Sequence, residues 1–549
     1  FFSCPFFFPS PCGIHRASDR QAHTACMAGL GHQLKGLVQP TGRYTHIARN
    51  GLSHSEEGQA QEEQDEEEAG APDSEDEDPP TPGRRGSCRS SLSAEGPRTV
   101  NGAPGAKKAS LAACTVNLAN SIMGAGILGL PFAIHSTGPS LGPVLFGAVT
   151  LMSSFTMYLL VRAGAAAGVA SYEELVWKAY GRGGQRLFSV LLVVSISGVL
   201  TAYIVLLADF LTPVLCPWGT LLSRRFAFVT SRPFIMAGVV ALGVLPLCSM
   251  RDLASLRFVS ALSMVLMFLL ALVLLHRTFY PFDPVGSPPR PGVPPFAHRR
   301  LTLAWNHSAF SGIPIITFAF SCHVCIFPIY NSLECPSPGR MCKVIAGALG
   351  LCASVYACVA VLGHSLFGDS LCPNLLNNFA AADPLVGAVR LAFTFAITTT
   401  YPFALYAARR SLDMLLFPAA ASKGFSAARF MAETLALVTL TLCLAILAPG
   451  VRIVFALSGA VFATMIAFVM PTMCYVRLSS TFDLHCILSM VILWLALMLG
   501  GVSTWANIKG VFLEDSTPLH CRAASRCLMT DPVQNPIPDP KPATQPENH

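Results

Sequence analysis

Residues 115–134 carry polar and backbone-loosening residues in a stretch apolar enough to enter a bilayer. They read Thr-Val-Asn-Leu-Ala-Asn-Ser-Ile-Met-Gly-Ala-Gly-Ile-Leu-Gly-Leu-Pro-Phe-Ala-Ile, so that Asn117, Asn120 and Ser121 stand just ahead of Gly124, Gly126, Gly129 and Pro131. Glycine and proline loosen a helix, and its amides and carbonyls then come free. In mid-membrane such groups are tolerated only where they face protein, water or a solute. The chemistry on offer is therefore non-covalent, the holding of a small polar molecule or ion at a broken helix. A plainer reading is that the glycines let two helices pack closely. A second stretch, 311–330, has the same character, with Ser311, Gly312, Pro314, Thr317, Ser321, Cys322, His323 and Pro328 set among apolar residues. His323 is a candidate proton sensor because imidazole changes charge near neutral pH; a neutral, hydrogen-bonded histidine accounts for it as well.

These residues need long apolar elements to position them, and the composition supplies them. Of 549 residues 52% are hydrophobic and only 12% charged; a soluble domain carries about twice that charge fraction. The fold class expected is an all-α polytopic membrane protein. Spans of about 20 apolar residues are expected near 111–135, 141–163, 187–212, 233–250, 256–277, 309–331, 343–366, 385–407, 431–448, 452–475 and 484–506. That makes eleven. The two interrupted spans, the first and the sixth, each open a set of five covering a similar length of chain. Five is odd, so the second set crosses in the opposite sense, the plan of an inverted repeat with a site between the breaks.

Lysine and arginine in short loops orient the spans. With the N-terminus in the cytosol, that side holds Lys107, Lys108, Arg162, Lys178, Arg182, Arg186, Arg251, Arg257, Arg340, Lys343, Arg409, Arg410, Lys423, Arg429 and Arg477. The other side has fewer, chiefly Arg224, Arg225, Arg232, Arg290, Arg299 and Arg300. The proline-rich loop from Tyr280 to Asn306 then falls outside, and it carries the one Asn-x-Ser/Thr of the chain, Asn306-His307-Ser308, a candidate N-glycosylation site.

Three domains follow: an acidic N-terminal cytosolic tail, 1–109, a transmembrane domain, 110–506, and a non-cytosolic C-terminal tail, 507–549. The run from Glu56 to Asp78 is crowded with carboxylates and followed by prolines; it buries too little apolar surface to fold and is expected to be disordered. The first methionine is Met27, which leaves open whether residues 1–26 belong to the natural protein. Arg84-Arg85-Gly86-Ser87 has the form of a basic-directed kinase site, for which chance is the plainer account. The 19 cysteines are mostly scattered through apolar segments, with no two CxxC spacings to make a pair, and read as small core residues rather than a metal site or a disulfide framework. Only Cys216, Cys372, Cys521 and Cys527 fall outside the cytosolic side, so any disulfide is expected among them.

Asn117 through Leu130 resembles the opening helix of the sodium-coupled neutral amino acid transporters, of the amino acid/auxin permease group. Phe318-Ala319-Phe320-Ser321-Cys322-His323 with Pro328-Ile329-Tyr330-Asn331-Ser332-Leu333 resembles that family's sixth helix. Arg390-Leu391-Ala392, Thr398-Thr399-Thr400-Tyr401-Pro402 and Arg409-Arg410 resemble its eighth. The likeness is collinear over about 110–506. It implies a LeuT-like 5+5 inverted repeat plus an eleventh transmembrane helix. It also implies substrate binding at Asn120, Gly124, Ala125, Gly126 and Ile127, where freed amides suit a carboxylate, and at Phe320, Ser321 and Cys322, which meet the amine or side chain. Sodium, a hard cation suited to neutral oxygens, is placed at Asn120, Ile122, Thr398 and Thr400; a membrane threonine otherwise tends to bond its own backbone. Two departures stand out. Val324 and Cys325 occupy the positions where the familiar pattern has Pro-Glu, removing an acidic group beside the site, and Pro131 is unlike the best-known plasma-membrane members.

Asp209 and Arg390, near the outer ends of the third and eighth spans, are expected to pair with each other or reach for the interface. Tyr203 is expected to pack in the core or to cap the pocket. No nucleophile–base pair, metal motif or phosphate loop appears, so the chain is not expected to be an enzyme. The leading expectation is a symporter that moves neutral amino acids by alternating access, with Na⁺ as coupling ion and no cofactor. A proton-coupled permease and an amino-acid-sensing receptor signalling through the tail are the alternatives. Plasma membrane and lysosomal membrane both fit, with the plasma membrane preferred.

Overall fold

The computed structural model describes residues 108–138, 140–221, 228, 231–250, 257–280, 309–417, 426–513 and 521. The acidic tail, Asn306 and the kinase-like motif lie outside the described residues.

Among those residues, nine helices are long and apolar enough to cross a membrane, the bent first span is a tenth, and Arg257–Phe279 completes eleven. Helix starts follow ordinary capping chemistry. Ser110 and Ser337 accept from Ala113 and Arg340 amides, and Asp383 accepts from Leu385 and Val386 ahead of a proline at the helix start. The second span, Leu141–Ala167, ends at Gly168 with φ 66.

The third span departs from expectation at its start. Instead of beginning near 187, the helix runs Tyr172–Leu221 with a kink at Gly181, where φ is 67. The added segment buries Tyr172, Leu175 and Val176 and exposes Trp177 and Lys178; it is amphipathic and lies outside any window of sustained hydropathy. The fourth span, Arg232–Ser249, widens into a π turn at Val240–Val244, and the tenth, Val451–Leu478, into two, at Ser458–Ala463 and Met465–Val469. At Gly459 the tenth span presses on the sixth: a Cβ there would stand 1.9 Å from the Pro314 carbonyl oxygen, so only glycine fits.

Burial sorts the spans into layers. In the most apolar window of the sixth span, Ala309–Ser332, 89% is buried, against 22% in the eleventh, which presents Trp494, Met498 and Trp505 on its surface. The sixth is thus central and the eleventh peripheral. The third and eighth spans pack along each other, the second half of the first lies on the first half of the sixth, and the first half of the first lies on the seventh. Five spans, five inverted spans and an added eleventh is the LeuT-like plan expected.

Cys372, after the seventh span, is bonded to Cys521, beyond the eleventh, with Cα atoms 5.7 Å apart. Counting alternate crossings puts both on one side, as the orientation by charge requires. Two of the four cysteines singled out therefore pair.

Candidate functional site

The first span is helical over Leu111–Ile122, extended at Met123 and Gly124, a 3₁₀ turn over Ala125–Gly129, and helical again over Leu130–Thr137, with a 50° bend. The sixth is helical over Ala309–Phe320, leaves the helix at Ser321 and Cys322, turns as 3₁₀ over His323–Cys325, and resumes over Ile326–Ser332. Both expected breaks are present. Gly124, Ala125 and Gly126 thereby sit at the amino end of the second half-span, where N–H groups lack carbonyls one turn back and an anion is favoured. Ile122 sits at the carboxyl end of the first half-span, where a carbonyl left without its amide one turn on favours a cation.

The two breaks touch. A Cβ on Gly126 would lie 3.0 Å from the Cα of Ala319, a close approach that glycine permits. Phe320 closes the region from the side, its ring edge-on to Phe146 at 5.2 Å and to Tyr356 at 5.4 Å. The seventh span reaches the end of the first half of the span: Tyr356 Oη donates to the freed Ile122 O at 2.8 Å, and Cys352 Sγ donates at 3.5 Å to Ala119 O, which also accepts from the Met123 amide at 2.8 Å. Neither residue stood out in the sequence, because a tyrosine or cysteine in an apolar run reads as core. Tyr203 is buried on the third span.

Asn120 is buried, and its Oδ1 has no hydrogen-bond partner. A buried amide oxygen left bare is unusual, and a hard cation or an ammonium group is what it fits. On the eighth span, Thr400 Oγ1 donates to Ala396 O at 2.7 Å, and Thr399 Oγ1 to Phe395 O at 2.7 Å. A hydroxyl that donates backward keeps its lone pairs for a cation. Thr398 is half-buried, and its methyl faces Gly243 in the π turn of the fourth span.

His323 is fully buried, with Nε2 2.9 Å from Thr156 Oγ1 on the second span. That hydroxyl also lies 2.9 Å from Met152 O. A threonine has one hydrogen to give; given to the carbonyl, it leaves Thr156 accepting from Nε2–H and assigns Nδ1 the bare lone pair. Nδ1 is buried without a hydrogen-bond partner.

At the carboxyl end of the third span, the expected pairing of Asp209 with Arg390 is replaced by another arrangement. Asp209 Oδ1 is 2.9 Å from Arg232 Nη2 at the start of the fourth span, and its Oδ2 accepts from Asn374 at 3.4 Å. Arg390 instead donates to the carbonyls of Leu376, Phe379 and Ala380. Arg277 binds Asp383 at 2.6 Å. The loop between the seventh and eighth spans is held from the third, fifth and eighth spans and by Cys521.

Comparison with known proteins adds to this geometry. Residues 107–509 match the family described as transmembrane amino acid transporter protein. The chain is 30% identical over 387 residues to a Danio rerio protein named sodium-coupled neutral amino acid symporter 2, covering 67% of this chain and 76% of that one. It is 29% identical over 391 residues to a Rattus norvegicus protein provisionally named sodium-coupled neutral amino acid transporter 11, covering 69% and 80%. Among solved structures it is similar to MhsT in complex with L-phenylalanine, at 12% identity and a TM-score of 0.46 over 72% of this chain and 98% of that one. A manganese transporter of Eremococcus coleocola is similar at 12% identity and a TM-score of 0.44, over 76% and 90%. With a family match over most of its length and two broken spans in the matched region, this chain belongs to the transmembrane amino acid transporter protein family.

Proposed function

We propose that this protein is a secondary active transporter that carries a neutral amino acid across the membrane together with Na⁺ by alternating access. The observation that supports the reading is the contact of the two broken spans at Gly126 and Ala319. It sets amides that suit a carboxylate beside carbonyls that suit an ammonium group. Gly124, Ala125, Gly126 and Ile127 hold the substrate carboxylate through backbone groups, while Phe320, Ser321 and Cys322 meet its amine or side chain. Asn120 Oδ1, the Ile122 carbonyl and the hydroxyls of Thr398 and Thr400 hold Na⁺ as a co-transported ion.

The energetics are sufficient with a single ion. One sodium entering down 100 mV and a tenfold gradient supplies about 3.7 kcal/mol, enough for roughly 500-fold accumulation. The preferred location is the plasma membrane. A proton-coupled permease is the second reading, favoured by one observation: the buried imidazole of His323 beside the sixth-span break keeps a bare nitrogen.

Proteoliposomes holding the purified full chain test both. Uptake of labelled glutamine, alanine, serine or histidine driven by a sodium gradient is the expected result. Uptake that ignores sodium replacement and follows a proton gradient selects the second reading, and no uptake under either gradient refutes transport.

A further inference from the structure

We propose that a cavity between the start of the third-span helix and the end of the eighth span holds the headgroup of a phospholipid that carries a primary amine, the chemistry of phosphatidylethanolamine. The cavity has a volume of about 330 Å³. Ser171, Glu173 and Trp177 line it from one side of the Gly181 kink and Gln185 from the other, while Arg410 and Met414 face it from the eighth span.

Glu173 and Arg410 carry opposite charges and line one cavity, yet they do not pair. Among the described residues neither side chain has a salt-bridge or hydrogen-bond partner, and the same holds for the Trp177 indole and the Gln185 side-chain amide. The neighbouring carboxylate is already engaged: Glu174 Oε2 accepts from the Ala170 amide at 3.0 Å, and the Glu174 amide donates to Ser171 Oγ at 3.2 Å, a capping box. The groups left open to a ligand are thus one anion, one cation, an indole N–H and an amide.

That set selects a molecule with both charges. The Arg410 guanidinium is a planar fork that matches a phosphate, and the indole N–H adds a donor beside it. Glu173 accepts from an ammonium, which offers three N–H groups. The quaternary nitrogen of a choline headgroup has none to give, and a headgroup without an amine leaves the carboxylate unpaired. A free amino acid also carries both charges, but the position of the cavity favours a lipid. The long apolar stretch of the third span begins at Leu187, just past Arg182 and Arg186, and that of the eighth ends just before Arg409 and Arg410. Trp177 is 48% exposed and Met414 38%, with Leu187 and Leu416 still more exposed. Arginine and tryptophan beside bare apolar surface mark the headgroup level of a bilayer. The acyl chains then lie against the apolar surface that begins at Leu187, and the headgroup joins two spans that pack along each other.

The test uses the purified full chain in detergent, with phosphatidylethanolamine, phosphatidylcholine and phosphatidylglycerol of identical acyl chains added in turn, and alanine alone as the soluble zwitterion. Phosphatidylethanolamine is expected to raise the unfolding temperature most and to be the lipid retained in native mass spectrometry. Glu173→Gln should erase the preference for phosphatidylethanolamine over phosphatidylcholine. Arg410→Gln should raise the phosphatidylethanolamine concentration needed by about tenfold or more. The wild-type series reads the order of the lipids whether or not a variant folds, and none of these measurements depends on uptake. Equal stabilisation by the three lipids overturns the site, as does a preference that survives in both folded variants. Stabilisation by alanine that Glu173→Gln removes, with no preference among lipids, overturns the lipid in favour of a soluble zwitterion.

Discussion

The Tyr356 hydroxyl donates at 2.8 Å to the carbonyl of Ile122, the last helical residue before the first span breaks. The break removes the amide that this carbonyl would meet one turn later, and a side chain from the seventh span takes its place. The oxygen has a second lone pair, which is what the proposed sodium site uses. Tyr356→Phe leaves a buried acceptor with one partner fewer, at a cost of about 1–3 kcal/mol. The expected result is a lower unfolding temperature together with a raised sodium requirement for uptake. Wild-type values for both would show that the bond has no role at the break.

Asn120→Ala and Thr400→Ala are each expected to raise the sodium concentration for half-maximal uptake, because each removes a neutral oxygen. Thr400 keeps its lone pairs while donating to Ala396, so Thr400→Val, which preserves shape, should reproduce the alanine effect. Thr398→Ala is expected to act in the same direction. Its methyl lies against Gly243, so Thr398→Val separates packing from ligation: it retains the methyl contact and loses the oxygen. Sodium dependence unchanged in all of these variants withdraws the ion site.

Much of this was legible in the chain itself, for a physical reason. Glycine, proline and asparagine inside an apolar run have few uses in a membrane, so both breaks could be read at Gly124 and Ser321, as could the order of the spans. Side-chain partners could not. Asp209 and Arg390 both lie near outer span ends, and opposite charge suggested a pair, yet Arg390 is satisfied by the carbonyls of Leu376, Phe379 and Ala380. Backbone carbonyls carry no mark in a sequence, so a loop that folds over an arginine is invisible there. The early start of the third span has a related cause: the helix from Tyr172 is half exposed, so its residues carry no continuous hydropathy.

Gly126 leaves little room for a side chain at the breaks. Its nearest neighbours are the Cα and Cβ of Ala319, at 3.0 and 3.1 Å from a built Cβ. Gly126→Ala demands that the neighbouring backbone yield by a few tenths of an ångström, and is expected to lower the rate of uptake. Gly126→Val adds two more carbons against a backbone that is itself buried, and over-packing of this kind costs about 1–3 kcal/mol or more. Uptake is expected to be abolished while the protein still reaches the membrane. Undiminished uptake by Gly126→Val would separate the two breaks and remove the main support for a site between them.

The Asp209–Arg232 pair gives an asymmetric prediction. The Asp209 side chain is 4% exposed and that of Arg232 18%, so the two ends of one ion pair differ in what solvent can rescue. Arg232→Met strands a carboxylate that keeps amide contacts from Asn374 and Asn377 but loses its counter-charge, and breaking a buried pair from one side costs about 3–5 kcal/mol. Asp209→Asn retains a neutral oxygen for Asn374 and leaves the guanidinium partly solvated, so its cost should be smaller. Unfolding temperatures should therefore fall in the order wild type, Asp209→Asn, Arg232→Met. The double variant should lie above the sum of the two losses, since it removes both charges at once. The reverse order, or strict additivity, would mean that the carboxylate is held by groups other than Arg232.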